Sequence, residues 1–251
     1  MMTPLAKILK RIWGVYFYLV FSALLLIMFP LFWLILRNES MYPFANRLRK
    51  IWAYGILILT GIFPKINGNF HLNNDQPAII CANHTSTLDI ILFGILLGDR
   101  YRFVAKADFV SIPIFGLFFQ TIDIPVDRST KKGAYRAYIK SKEALDKGYH
   151  LVMFPEGTTS QDPPNLMPFK NGPFKLAIDQ QVPIVPVAFV NHWELFYYDD
   201  GFDGKPGVAR AVIHDRIATE GLSDPEELKA KVYSTIETPI KEAYEGQYTI
   251  G

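Results

Sequence analysis

Two hydrophobic rhythms divide this chain. Over residues 12–36, 25 consecutive side chains carry no formal charge. As a helix rising ~1.5 Å per residue, that run is long enough to cross a hydrocarbon core of roughly 30 Å. A second apolar segment, residues 51–63, has only 13 residues, and Pro30 interrupts the first. Together they favour a helical hairpin sunk into one leaflet, with both ends at the same face, over a simple span. From about Asn67 onward, short apolar runs alternate with helical periodicity, the pattern of an α/β domain. The runs predict strands at 69–72, 78–82, 101–105, 120–125, 150–154, 184–190 and 209–214, and helices at 86–97, 131–147, 172–180 and 224–244. Ser129 and Thr130 are N-cap candidates for the second helix, and Gly148 lies just past its end. Ser223-Asp224-Pro225-Glu226 opens the last one as a capping box with proline in its first turn. The chain thus divides into a membrane-anchoring helical segment, residues 1–66, and an α/β domain, residues 67–251.

Composition sharpens that division. Hydrophobic residues make up 50% of the chain and aromatics 14%, rich for a soluble domain, and the excess sits in the leader. Residues 1–50 carry seven Lys/Arg against Glu39 alone, whereas the remaining 201 carry 19 against 23 acids. A basic leader on an acidic body suits an anionic membrane face and lacks the basic stripe of a nucleic-acid binder. Lys7, Lys10 and Arg11 precede the apolar run and Arg37, Arg47, Arg49 and Lys50 follow it, so the positive-inside rule has little asymmetry to act on. No small-residue cleavage site follows the run, which is too long for a signal peptide, so it reads as a retained anchor. The lone Cys81 rules out an intrachain disulfide framework and fits a catalytic domain on the cytoplasmic face of the membrane.

The segment with most chemistry is Asn83-His84-Thr85-Ser86-Thr87-Leu88-Asp89, directly after an apolar strand pattern. On a continuous helix, residues five apart diverge by roughly 140°. If the helix begins at Ser86, His84 lies in the preceding loop and can fold back towards Asp89 as a base with its orienting acid. The same residues scan as a capping box, with Ser86 as cap and Asp89 in the first turn. Further clusters fall at predicted strand ends, where open α/β sheets place ligands. Lys106 precedes Phe109, Pro113 and Gly116; Asp127-Arg128 follows the next strand; Phe154-Pro155-Glu156-Gly157-Thr158-Thr159-Ser160 follows another. Taken singly, these are solvated cations and a turn. Val182-Pro183-Ile184-Val185-Pro186-Val187 taken alone is a buried strand.

In order and spacing, however, these blocks resemble the 1-acyl-sn-glycerol-3-phosphate acyltransferase family, within the glycerophospholipid acyltransferases, over roughly residues 69–190. Asn83, His84 and Asp89 meet the first family block, and Lys106, Phe109, Pro113 and Gly116 the second. Phe-Pro-Glu-Gly-Thr-Arg-Ser is matched except that Thr159 stands where arginine is usual, and the Val-Pro-Ile-Val-Pro-Val strand is complete. The resemblance implies a mixed sheet flanked by helices (the glycerolipid acyltransferase fold) with a two-helix membrane-embedded hairpin at the N-terminus. It implies that His84 takes a proton from a lysophospholipid hydroxyl, lysophosphatidate first, with Asp89 orienting the imidazole. The acyl donor would be a thioester, acyl-CoA or acyl carrier protein, as co-substrate without a further cofactor. Lys106 and Arg128, with Gly157 and Thr158 as donors, would hold the acceptor's phosphate, and Glu156 would orient the glycerol hydroxyl or a neighbouring cation. Thr159 forfeits a charge that Lys170 can replace, which leaves another lysolipid open as acceptor. A membrane-anchored lipid-binding protein without turnover is the rival from another class; an intact His84/Asp89 pair argues against it. Cys81 packs inside its strand, and His71, His150, His192 and His214 show no recognisable partners. No spacing suggests a metal site.

Overall fold

In the computed structural model, which describes residues 3–69, 76–197 and 202–245, the leading apolar run is one helix, α1 (Pro4–Ile35). Thr3 caps it by accepting the Ala6 N–H at 3.3 Å. Pro30 does not interrupt it as expected: it removes one backbone donor, and the helix continues to Ile35. By length and composition α1 can cross a membrane, and only 17% of its most apolar window is buried. A 3-10 turn, Glu39–Met41, leads into α2 (Tyr42–Thr60). α2 returns antiparallel along α1: the Trp13 indole N–H donates to the Thr60 carbonyl (3.1 Å) and that of Trp52 to Phe21 (3.3 Å).

α2 begins at Tyr42 rather than at residue 51 because its polar first half is itself buried. Asn46 donates to the Asp99 and Tyr101 carbonyls, both at 2.9 Å, and Arg49 forms a buried ion pair with Asp123 at 2.6 Å. The helix ends where Gly61 takes the left-handed conformation (φ 69°) that a C-cap requires. Ile62 then starts β1 (Ile62–Asn67), so the sheet begins inside the stretch assigned above to the helical leader.

The remaining strands are β2 (Ile79–Ala82), β3 (Tyr101–Lys106), β4 (Ile124–Val126), β5 (His150–Met153), β6 (Ile184–Phe189) and β7 (Gly207–Ile213). The helices are α3 (Thr87–Leu96), α4 (Gly116–Gln120), α5 (Lys131–Asp146), α6 (Gly172–Gln180), α7 (His192–Leu195) and α8 (Pro225–Tyr244). Among the described residues the sheet runs β1-β7-β6-β2-β5-β3-β4. Every pair is parallel except β6 with β7, so the sheet is mixed. Pro64 is tolerated because β1 is an edge strand.

Two expected strands differ. Of residues 69–72, only Asn69 falls within the described residues, and it lies outside any strand. Residues 120–125 split, because α4 buries Phe118 and Phe119 and the Asp123 N–H returns to the Phe118 carbonyl at 2.8 Å before β4 starts. β2, β5 and β6 are buried along their whole length, the all-apolar signature of parallel strands covered on both faces. They are adjacent and parallel, with Cys81 beside Met153 and Ala82 beside Val187. Their three exit loops therefore open at the same edge of the sheet.

Candidate active site

β2 delivers Asn83 and His84 to that edge. The Asn83 amide donates to the Phe189 carbonyl (2.9 Å) and accepts the Phe189 N–H (2.7 Å), locking the exit of β2 to the end of β6. His84 is then fixed on every side. Its N–H donates to Glu156 Oε1 at 2.8 Å and its carbonyl accepts the Ser160 N–H at 2.7 Å. Its ring stacks on Phe154 with centroids 4.1 Å apart, and its Nδ1 lies 2.8 Å from Asp89 Oδ2. With Nδ1 engaged, Nε2 is the nitrogen that can take a proton, and the side chain keeps 16% exposure.

The capping and base–acid roles of Asp89 coexist. Ser86 caps α3, its Oγ accepting the Leu88 N–H at 3.1 Å, while Asp89 Oδ2 accepts the N–H groups of Thr85 (2.7 Å) and Ser86 (2.9 Å). The same oxygen faces His84, and Oδ1 lies 2.6 Å from Nδ1 of His192. Burial pushes the Asp89 pKa up, but hydrogen bonds from His192 and His84 outweigh it and hold the group at about 2. A fixed anion beside an imidazole selects the Nδ1–H tautomer and stabilises the imidazolium formed when Nε2 accepts a proton.

His192 thus has a partner that the sequence did not reveal. The two residues stand 103 positions apart, and the available signal was that His192 follows a predicted buried strand. His150, by contrast, accepts the Ala78 N–H within the sheet at 3.1 Å, and His71 lies outside the described residues.

The other expected site residues fall into two groups. Glu156 is 2% exposed, and its oxygens accept two backbone donors, the N–H groups of His84 and of Met167 (2.9 Å). Burial raises its pKa to about 7. It clamps two loops together rather than pairing with a cation. Gly157 follows with φ +83°, and its carbonyl accepts from the Arg128 guanidinium. A Cβ at 157 would sit 2.7 Å from that guanidinium and 3.6 Å from Lys170 Cγ. Arg128 and Lys170 therefore converge on one turn, with exposed Thr158 beside them. Lys106 is not brought into this hydrogen-bonded group: it is 63% exposed at the end of β3 and pairs with Asp108. Burial pushes the Cys81 thiol up, so it packs as an apolar group.

The leader reaches this site directly. Phe17 and Tyr18 of α1 pack on Phe196, with centroids 4.6 and 5.3 Å away, and the Phe196 carbonyl accepts the Ser86 hydroxyl.

The sheet, the His84–Asp89 pair at the mouth of its central strand and the apolar helix against the site are the features to set beside known proteins, and the class they fall in is the acyltransferases. The acyltransferase family model matches residues 64–190, half of the chain, and the chain belongs to that family. A chloroplastic 1-acyl-sn-glycerol-3-phosphate acyltransferase of Brassica napus is 30% identical over 223 residues, covering 85% of this chain and 63% of that protein. An uncharacterized acyltransferase of Schizosaccharomyces pombe is 34% identical over 160 residues, 62% of this chain and 57% of that protein. The chain thus spans about three-fifths of the length of these relatives. In fold it is similar to the crystal structure of the 1-acyl-sn-glycerophosphate acyltransferase PlsC from Thermotoga maritima. The TM-score is 0.80 at 22% identity, covering 98% of this chain and 100% of that one.

Proposed function

We propose that the protein is a membrane-bound O-acyltransferase that moves a fatty acyl group from an acyl thioester, acyl-CoA or acyl carrier protein, to the free hydroxyl of lysophosphatidate. The product is phosphatidate, in phospholipid biosynthesis. The observation that carries this reading is the His84–Asp89 contact of 2.8 Å at the exit of β2, beside the turn where Arg128 and Lys170 converge.

In the reaction, His84 Nε2 removes the hydroxyl proton as the oxygen attacks the thioester carbon. The C–S bond then breaks, and the imidazolium returns the proton to the departing thiolate. The acceptor supplies its own nucleophilic oxygen, so the protein needs neither serine nor cysteine. Asp89 stays ionised throughout. Arg128 and Lys170, with the Gly157 and Thr158 backbone and with Lys106 swinging from its exposed pair, hold the phosphate.

Apolar side chains exposed on α1 and α2, among them Ile8, Leu19, Ile27, Ile51 and Ile58, form a face for the bilayer at its cytoplasmic side. Both lysolipid and product live there, and drawing an acyl chain into water costs about 0.8 kcal/mol per CH₂. Thr159 supports a second reading, an acyltransferase for a different lysolipid, because the usual arginine fork is missing from the turn.

The test is a panel of lysolipid acceptors with purified protein in detergent and a labelled acyl thioester. Turnover of lysophosphatidate above the others is expected. Preference for another lysolipid would establish the second reading, and turnover of none would remove both.

A further inference from the structure

His192 is fully buried, and its ring stacks on Phe189 with centroids 4.6 Å apart. Its Nδ1 meets Asp89 Oδ1 at 2.6 Å, while its Nε2 is buried without a hydrogen-bond partner among the described residues. Facing an ionised carboxylate that can only accept, Nδ1 is the nitrogen that carries the proton of this contact. His192 therefore donates to Asp89 through its Nδ1–H.

The oxygens of Asp89 are unequally served. Oδ2 collects the His84 ring and the Thr85 and Ser86 N–H groups, whereas His192 is the donor at Oδ1. Without that donor, one oxygen of a buried carboxylate is bare, and the carboxylate plane is held from one side only. The anion then leans electrostatically on whatever cation His84 can provide.

We propose that His192 is a positioning residue for acyl transfer: by holding Asp89 Oδ1 through Nδ1–H, it keeps Oδ2 aimed at His84 and tempers the negative charge that His84 meets. This rests on the reading of His84 as the base. The titratable groups around His84 are Asp89 from α3, Glu156 from the loop after β5, and His192 from α7 acting through Asp89. The cations Arg128 and Lys170 stand at the Gly157 turn behind Glu156.

The experiment follows the His84 imidazole by NMR titration of the full-length, histidine-labelled protein in detergent, alongside the pH profile of kcat/KM. His192→Phe keeps the ring volume and the stacking but removes the donor. It is expected to raise the midpoint of His84 by about one pH unit, moving the acid limb of the profile upward. It is also expected to lower kcat about 10–100-fold, the worth of one charge-assisted hydrogen bond. His192→Asn puts an amide N–H where Nδ1 stood, so both quantities should return towards wild type. His192→Gln carries its amide one carbon too far and should behave like the Phe variant. A folded Phe variant with an unmoved His84 midpoint overturns the proposal. Where the Phe variant does not fold, equal midpoints in the Asn and Gln variants overturn it. The titration needs no turnover, so a wild-type protein that transfers no acyl group removes the proposed function while the midpoint still decides the role of His192.

Discussion

Asp89 and Asp123 are both buried carboxylates, 0% and 5% exposed, and each gathers several donors, yet they serve different ends. Asp123 takes two guanidinium contacts from Arg49, at 2.6 and 3.1 Å, and the Phe103 N–H at 3.0 Å. The same guanidinium lies 4.5 Å from the centre of the Phe118 ring. Arginine never gives up its proton, so this cluster has one state and fastens α2 to the start of β3 and the end of α4. Asp89 instead faces two imidazole rings, which unlike a guanidinium can release a proton, and one of them keeps access to solvent. Burial is common to both. What separates a fastener from a proton-handling centre is whether the partner can release a proton and whether it opens to solvent.

The largest effect that would break this comparison is expected at Asp89. Asp89→Asn preserves size but gives up the anion, and kcat should fall about 10³–10⁴-fold with the far-UV spectrum retained. Steady-state transfer assays check this, and a loss of tenfold or less would mean that His84 works without a charged partner. Next comes Arg49→Met, which strands Asp123 in the core. Stability should drop by about 3–5 kcal/mol in denaturant titrations, while kcat stays within about twofold wherever the variant is folded. A large kcat loss in the folded variant would dissolve the distinction between the two clusters.

Smallest is a slope set by Glu156. Its folded pKa of about 7 lies above the ordinary carboxylate value, so the native state holds its proton more tightly than the unfolded chain does. Its contribution is complete below the unfolded value of 4.5 and is lost as pH rises through about 7. The wild-type protein should therefore lose about 3 kcal/mol across that interval, and Glu156→Gln should flatten the loss when Tm is followed across it. An unchanged slope in the Gln variant would locate the titrating group elsewhere.

How much of this was legible in the sequence depended on the distance between partners. The core strands were, because Ile79–Ala82 and Ile184–Phe189 are apolar at every position and bounded by turn residues. The meeting of His84 and Asp89 was also legible, since a helix starting near Ser86 brings them together locally. β1 was not: Ile62-Phe63-Pro64 extends an apolar helical run without a break in hydropathy, and Pro64 speaks against a strand until its edge position is known. Arg49–Asp123 and His192–Asp89 join residues 74 and 103 positions apart. Periodicity reports which face a residue occupies and says nothing about which distant residue will meet it. Glu156 shows the same limit, because a motif supplies its carboxylate but not the backbone N–H groups of His84 and Met167 that occupy it.

The pairing of β1 with β7 sets an order of events during synthesis. Ile62 aligns with Gly207, so β1 leaves the ribosome about 145 residues ahead of its partner. At about 5–20 residues per second, that is roughly 7–30 s with an open backbone edge on display. Over the same interval α1 and α2 are already complete and free to seek lipid. A nascent chain docked early at a bilayer would shelter that edge from neighbouring chains. The protein should accordingly be most prone to aggregate when it is translated without membranes.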